Sequence, residues 1–141
     1  MKTSVVLLSI FLVCSTSIVG QNYMGMSQSK IVKSMGEPDK IGSNFYIYND
    51  LDEKGENIYY FDGNGNCNSF EIVRDMAYLQ EYQKILKSEF NETPDNKYVK
   101  KTKKINYKAE LILSSDKFQI KIQDSDTGII CNYPMFAGEQ Y

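Results

Sequence analysis

Between residues 44 and 73 the chain repeats one cycle: a short stretch of alternating apolar side chains, then a cluster of residues suited to turning. Residues 44–49 carry Phe45 and Ile47 among tyrosines, residues 57–62 are rich in isoleucine and tyrosine, and residues 67–73 place Phe70 and Ile72 in step. The connections are the polar residues 50–56 and Gly63-Asn64-Gly65-Asn66, the second of which tolerates positive φ. Successive side chains of a strand point to opposite faces, and short connections pair neighbouring strands. Three antiparallel strands in a meander are therefore expected.

A short helix is expected before this meander. Ser27 is suited to accept a backbone N–H at the N-cap, Met26 and Ile31 occupy the staple positions around it, and Ile31, Val32 and Met35 share one side. Gly36 can end the helix and Pro38 prevents its resumption. A second helix over residues 75–91 is expected, with Asp75 as its N-cap and Met76, Leu79, Tyr82, Leu86 and Phe90 recurring at helical spacing. That stripe needs a surface to bury it, and the sheet is the one available.

Beyond the loop at 91–96, residues 98–102 read as a short strand. Residues 105–113 carry Tyr107, Ala109, Leu111 and Leu113 on one face, and Phe118, Ile120 and Ile122 form their hairpin partner across residues 114–117. The fold expected is α+β: an antiparallel sheet of about five to six strands with two helices packed on one face, ordered roughly α-β-β-β-α-β-β with 98–102 as the extra strand. Residues 125–141 lose periodicity and read as a C-terminal tail.

The amino end adds a compartment. After Lys2 the apolar run 5–13 is broken only by Ser9, and small residues follow to Gly20, the pattern of a cleavable signal peptide over residues 1–20. The run is shorter than the roughly 20 residues a spanning helix needs, so no transmembrane segment is expected in the mature chain. Lipid attachment at Cys14 is the competing reading, disfavoured by bulky Phe11, Leu12 and Val13 where small residues are wanted. The mature chain then forms one α+β domain over 21–124, exported to the periplasm or secreted. Its cysteines reduce to Cys67 and Cys131, which either form a disulfide in an oxidising compartment or stay as two unconnected thiols. Cleavage removes one lysine and no acid from a chain of net charge −2. The remaining mild acidity argues against nucleic acid as a partner.

Gly25-Met26-Ser27, then Ile31 or Val32, then Gly36-Glu37-Pro38 resembles the opening motif of the SmpA/OmlA family of outer-membrane assembly lipoproteins and of the wider fold shared with β-lactamase inhibitor proteins. Tyr59-Tyr60-Phe61-Asp62-Gly63-Asn64-Gly65 resembles the strand and turn that follow in that group. The resemblance covers residues 24–73 and implies a fold, not a role. The family's lipid-bearing cysteine has no good equivalent at Cys14, and residues 75–123 are additional.

The chain has no histidine, which excludes Ser-His and Cys-His nucleophiles and the usual histidine-ligated zinc sites. Its single arginine, Arg74, leaves no guanidinium pair to clamp phosphates, and its glycine pair at 63 and 65 joins two strands where a nucleotide-binding loop would join a strand to a helix. Asp62 to Asn66 places oxygens at alternate positions as a calcium loop does, but Cys67 and Val73 stand where glycine and glutamate belong, so a hairpin turn is the reading. Asp50 and Glu71 are carboxylates able in principle to do acid–base work, with nothing in their spacing to bring them together. No cofactor, metal or catalytic residue is expected.

The most uneven charge lies at 97–108, where Lys97, Lys100, Lys101, Lys103, Lys104 and Lys108 interleave with Tyr98 and Tyr107. Lys97, Tyr98, Lys100, Lys101, Lys103, Lys104 and Tyr107 are the candidate interaction patch. The alternative is a solvated edge strand and turn whose lysines block unwanted strand pairing. The function expected is a non-enzymatic binding or scaffold module of the bacterial cell envelope, its partner another envelope or secreted protein. Two alternatives stay open: a secreted enzyme inhibitor that presents residues 50–56 as a plug, and a small hydrolase working through two carboxylates.

Overall fold

The computed structural model describes residues 23–103 and 105–125. The expected signal segment, Lys104, and the tail with Cys131 lie outside the described residues. In chain order the elements are α1 (Gln28–Met35), β1 (Lys40–Ile41), β2 (Phe45–Asp50), β3 (Gly55–Phe61), β4 (Cys67–Asp75), α2 (Leu79–Glu89), β5 (Asn91–Thr93), β6 (Lys97–Lys101), β7 (Asn106–Leu113) and β8 (Lys117–Asp124). A 3-10 turn, Met76–Tyr78, leads into α2.

The ends of α1 follow from its residues. Ser27 Oγ accepts the Lys30 amide at 3.4 Å, and Gly36 closes the helix at φ 87° with its own amide on the Val32 carbonyl at 2.8 Å. The backbone entering α1 is tied to the β3–β4 turn. Gly25 N donates to Cys67 O at 2.7 Å, Cys67 N to Met26 O at 2.8 Å and Gln28 N to Gly65 O at 3.1 Å. Met26 stays exposed, and α1 meets the core through fully buried Ile31 and half-buried Met35.

The β3–β4 connection is the hairpin turn expected. Asp62 Oδ1 accepts the amides of Asn64 at 2.9 Å and Asn66 at 3.0 Å, and Gly65 adopts φ 76°. Its carboxylate oxygen is thus spent on the turn's own backbone.

Among the described residues, eight strands form one antiparallel sheet in the order β1-β2-β3-β4-β8-β7-β6-β5. Each half is a helix followed by a four-strand meander. The halves join along β4 and β8, with Phe70 opposite Ile122 and Ile72 opposite Ile120.

The expected sheet of five to six strands is therefore corrected to eight. The two unforeseen strands are the edges, β1 with two residues and β5 with three. Strands this short carry no periodicity, and five of the six stretches foreseen depended on periodicity. β5 reads locally as the loop that ends α2, and its extended state follows from pairing Asn91 with Val99 and Thr93 with Lys97. The expected edge role of residues 98–102 also changes, because β5 lies outside β6.

Both helices lie on one face of the sheet. Ile31 of α1 and Tyr82, Leu86 and Phe90 around α2 share a core with Tyr48, Tyr59, Phe70, Tyr98, Leu111, Phe118 and Ile120. Tyr59 meets Tyr23 and Tyr48 edge-on at centroid distances of 5.7 and 5.8 Å. Asp75 caps the 3-10 turn, accepting the Ala77 amide at 2.9 Å, and α2 continues from there. Met76 and Leu79, at the start of the expected stripe, are only half-buried. Among the described residues no helix is long and apolar enough to cross a membrane.

Candidate binding face

Strand alternation gives β4 two different surfaces. Toward the helices, Arg74 is buried and all its donors are engaged. Nε donates to Glu53 Oε2 at 2.7 Å; Nη1 to the carbonyls of Val73 at 2.8 Å and Glu56 at 3.0 Å; Nη2 to Asn57 Oδ1 at 2.8 Å and Asp50 Oδ2 at 3.2 Å. The Tyr82 ring lies 5.7 Å from the guanidinium carbon, and its hydroxyl donates to Glu53. The acidic turn is thus clamped to the sheet and to α2. Tyr78 adds a bond from its hydroxyl to Asp52 O at 3.1 Å. A Cβ at Gly55 would collide with the Val73 carbonyl oxygen, so this corner requires glycine.

On the opposite face the register draws a straight row across the strands. Thr93, Lys97, Glu110, Lys121, Glu71, Ile58, Ile47 and Lys40 stand opposite one another in turn from β5 to β1. The row alternates in charge from β6 to β4 and becomes apolar on β3 and β2. A parallel row runs Val99, Lys108, Gln123, Ser69, Tyr60 and Phe45. Ile47, Ile58 and Tyr60 form a second, smaller buried cluster with Phe45 packed on it. No described helix packs on this face.

The charged half of the face is concave. A cavity of about 410 Å³ lies over β4, β8, β7, β6 and the end of β5, with Glu71, Lys97, Lys108, Glu110 and Lys121 in its lining. That volume falls within the range of ligand pockets. Glu71 is its most constrained group, only 1% exposed, with Oε2 accepting Gln119 Nε2 at 2.6 Å and Oε1 facing Lys121 Nζ at 3.8 Å. Burial pushes its carboxyl up to about 7, against the opposing pull of Lys121 and of the Gln119 bond. Near neutral pH the floor of the trough therefore holds a carboxyl balanced between its protonated and ionised forms. Glu110 lies on the same face one strand beyond Lys121, so an ammonium stands between the two acids.

The structure divides the candidate lysine patch between the two faces. Lys97 and Lys101 project to the helix-free face, whereas Tyr98, Lys100 and Tyr107 project toward the helices. Tyr98 is 1% exposed and belongs to the core, and Tyr107 packs against that core. Lys100 Nζ lies 5.6 Å from the centre of the Phe90 ring. Lys103 is exposed between β6 and β7, and Lys104 is outside the described residues. The candidate pair Asp50 and Glu71 is separated by the sheet itself, Asp50 with Arg74 on the helix face and Glu71 on the other. Cys67 is buried, and its candidate partner Cys131 is outside the described residues.

Sequence reasoning passed over Lys108, Glu110, Lys121 and Gln123 as parts of one site. The signal was present. In β7 and β8 these residues alternate with the apolar set Tyr107, Ala109 and Leu111 and with Ile120 and Ile122, so strand alternation places them on one face.

Comparison with known proteins finds no matching family model, no matching curated protein and no matching solved structure. The chemistry of this face therefore rests on its own residues.

Proposed function

We propose that this chain is an exported, non-enzymatic binding module of the bacterial cell envelope, and that the helix-free face of its sheet receives another envelope or secreted protein. The observation that carries the reading is the concave trough over β4 to β8, lined by lysines and carboxylates on a rigid sheet whose other face is packed under both helices. A site on paired strands is held more precisely than one on loops. The non-enzymatic part is supported by how the acids are used: Asp50 and Glu53 are engaged by Arg74, and Glu71 is bonded to Gln119. The test is affinity capture from envelope extract with the full chain, a K97E/K108E variant and a K33E/K84E variant on the helices. The expected outcome is a partner lost by the first variant and retained by the second; the reverse pattern contradicts the reading.

One observation favours a second reading, an enzyme inhibitor. The β2–β3 turn, fastened by Arg74, Tyr78 and Tyr82, presents Leu51 at 87% exposure. A rigid turn with an apolar tip suits insertion into a cleft. Under that reading L51D abolishes capture and K97E/K108E leaves it intact.

A further inference from the structure

The charge of the trough specifies what enters it. Five lysines project to the helix-free face of β6, β7 and β8: Lys97, Lys101, Lys108, Lys121 and Lys117, the last standing opposite Asp75 at the end of β8, away from the trough. The carboxylates set among them are Glu110, directly opposite both Lys97 and Lys121, and Glu71, directly opposite Lys121. Lys108 is placed differently, for its cross-strand neighbours are Val99 and Gln123, neither of them acidic. Around Lys108 the trough supplies the Gln123 amide and the hydroxyl of Ser69, which follows Gln123 in the same row. The local balance is cationic in a chain whose net charge is −2, so the asymmetry belongs to this face and not to the whole molecule.

Resting on the binding-module reading, the geometry points to an acidic segment of the partner protein as the occupant of this trough, with carboxylates set against Lys108 and Lys97 and the Gln123 amide beside them. Ammonium groups paired with carboxylates in a concave, partly desolvated site are worth more than the same pairs on an open surface. Such pairing steers association and decides partner choice by charge.

Glu71 couples this docking to pH. The groups that face it are Lys121 and Gln119 from β8, Tyr60 and Glu56 from the helix-free side of β3, and Glu110 beyond Lys121 on β7. An incoming carboxylate adds negative charge beside a carboxyl already short of solvation, so docking favours the protonated form of Glu71. Binding then takes up a proton and weakens as pH rises through neutrality. Neutralising Glu71 permanently should remove that dependence.

The test uses the full chain and blocked hexapeptides of alternating serine and glutamate, serine and glutamine, and serine and lysine, with glutarate as a free small anion. Amide chemical shifts locate each probe and give its affinity at low salt, at pH 6 and at pH 8. The expected result is that the glutamate peptide shifts Ser69, Lys108, Lys121 and Gln123, binds several-fold more tightly at pH 6 than at pH 8, and loses at least tenfold in affinity in K108Q. E71Q should bind it with no difference between the two pH values. Lys108 is exposed, so K108Q tests docking without disturbing the core. Occupation of the trough by the lysine or glutamine peptide overturns the acidic assignment and leaves the face as the binding surface. Glutarate binding without the peptide reassigns the trough to small anions. Absence of every probe from the trough overturns the inference, and the envelope capture with K97E/K108E then decides separately whether the face binds anything.

Discussion

Glu71 and Arg74 lie three residues apart on β4 and face opposite sides of the sheet. Both are almost fully buried, yet their surroundings differ. Arg74 is matched by two carboxylates, an amide oxygen and two carbonyls, and it fastens the β2–β3 turn to the helix-bearing side. Glu71 has the Gln119 amide, the Tyr60 side chain and one more distant ammonium, and it opens on the trough. One strand thus carries a structural ion network on one face and a responsive carboxyl on the other.

The Arg74 network should respond to truncation as a buried ion network does. R74A removes the cation between Asp50 and Glu53 and strands two carbonyls, so a loss of about 3–5 kcal/mol is expected in urea unfolding. R74K should recover little, since an ammonium cannot meet five acceptors in one plane. A loss below about 1 kcal/mol for R74A would mean the network contributes little beyond solvation.

Glu71 should make folding stability fall with pH. Its carboxyl is raised in the folded chain, so the native state holds the proton more tightly than the unfolded state does. The stabilisation from that proton is fully present below the ordinary carboxylate range and is lost as pH rises to about 7. The total is about 3 kcal/mol. E71Q keeps an acceptor for Gln119 and carries no titrating group, so its unfolding midpoint should not follow that slope. An identical slope in wild type and E71Q would place the titration elsewhere.

Within α2 the cost of truncation should track burial. Leu86 is fully buried, and L86A should lose about 2–5 kcal/mol. Leu79, half-buried at the first turn, should lose less than about 2 kcal/mol when replaced by alanine. Equal losses would show that the helix start is as tightly packed as its end.

The lysines of β6 should separate by face. K97Q/K101Q removes charge from the trough side and should weaken salt-sensitive association with the glutamate peptide. K100Q/K103Q should leave that association unchanged, because Lys100 lies against Phe90 and Lys103 sits in the turn. Association carried by exposed ammonium groups must fade as the Debye length shrinks from about 10 Å at 0.1 M salt to about 3 Å at 1 M. Equal effects of the two pairs would mean that total charge, not placement, governs binding.

What was legible in the sequence was what local chemistry decides. Ser27 and Gly36 bracket α1 because each acts within a few residues of its place. The β7–β8 hairpin was legible for the same reason, with Leu111 meeting Ile120 across a short turn. β1 and β5 were not, since a segment of two or three residues becomes a strand only when a neighbour offers its backbone. The trough was hidden for a deeper reason. Glu71 meets Lys121 only because β4 pairs with β8 across the whole of α2 and three strands, a choice that no local pattern states. The lysine run at 97–108 reads as one block in the sequence, whereas strand alternation sends Lys97 and Lys100 to opposite faces.

The most direct test of the helix-free face as the binding surface is photocrosslinking in the producing cell, with the reactive side chain placed at Glu110 in the trough or at Lys33 on α1. Both positions are exposed, so neither substitution disturbs the core. The expected result is a discrete crosslinked partner from position 110, diminished by K108E in the same trough, and none from position 33. A partner captured from position 33 and not from 110 would contradict the account.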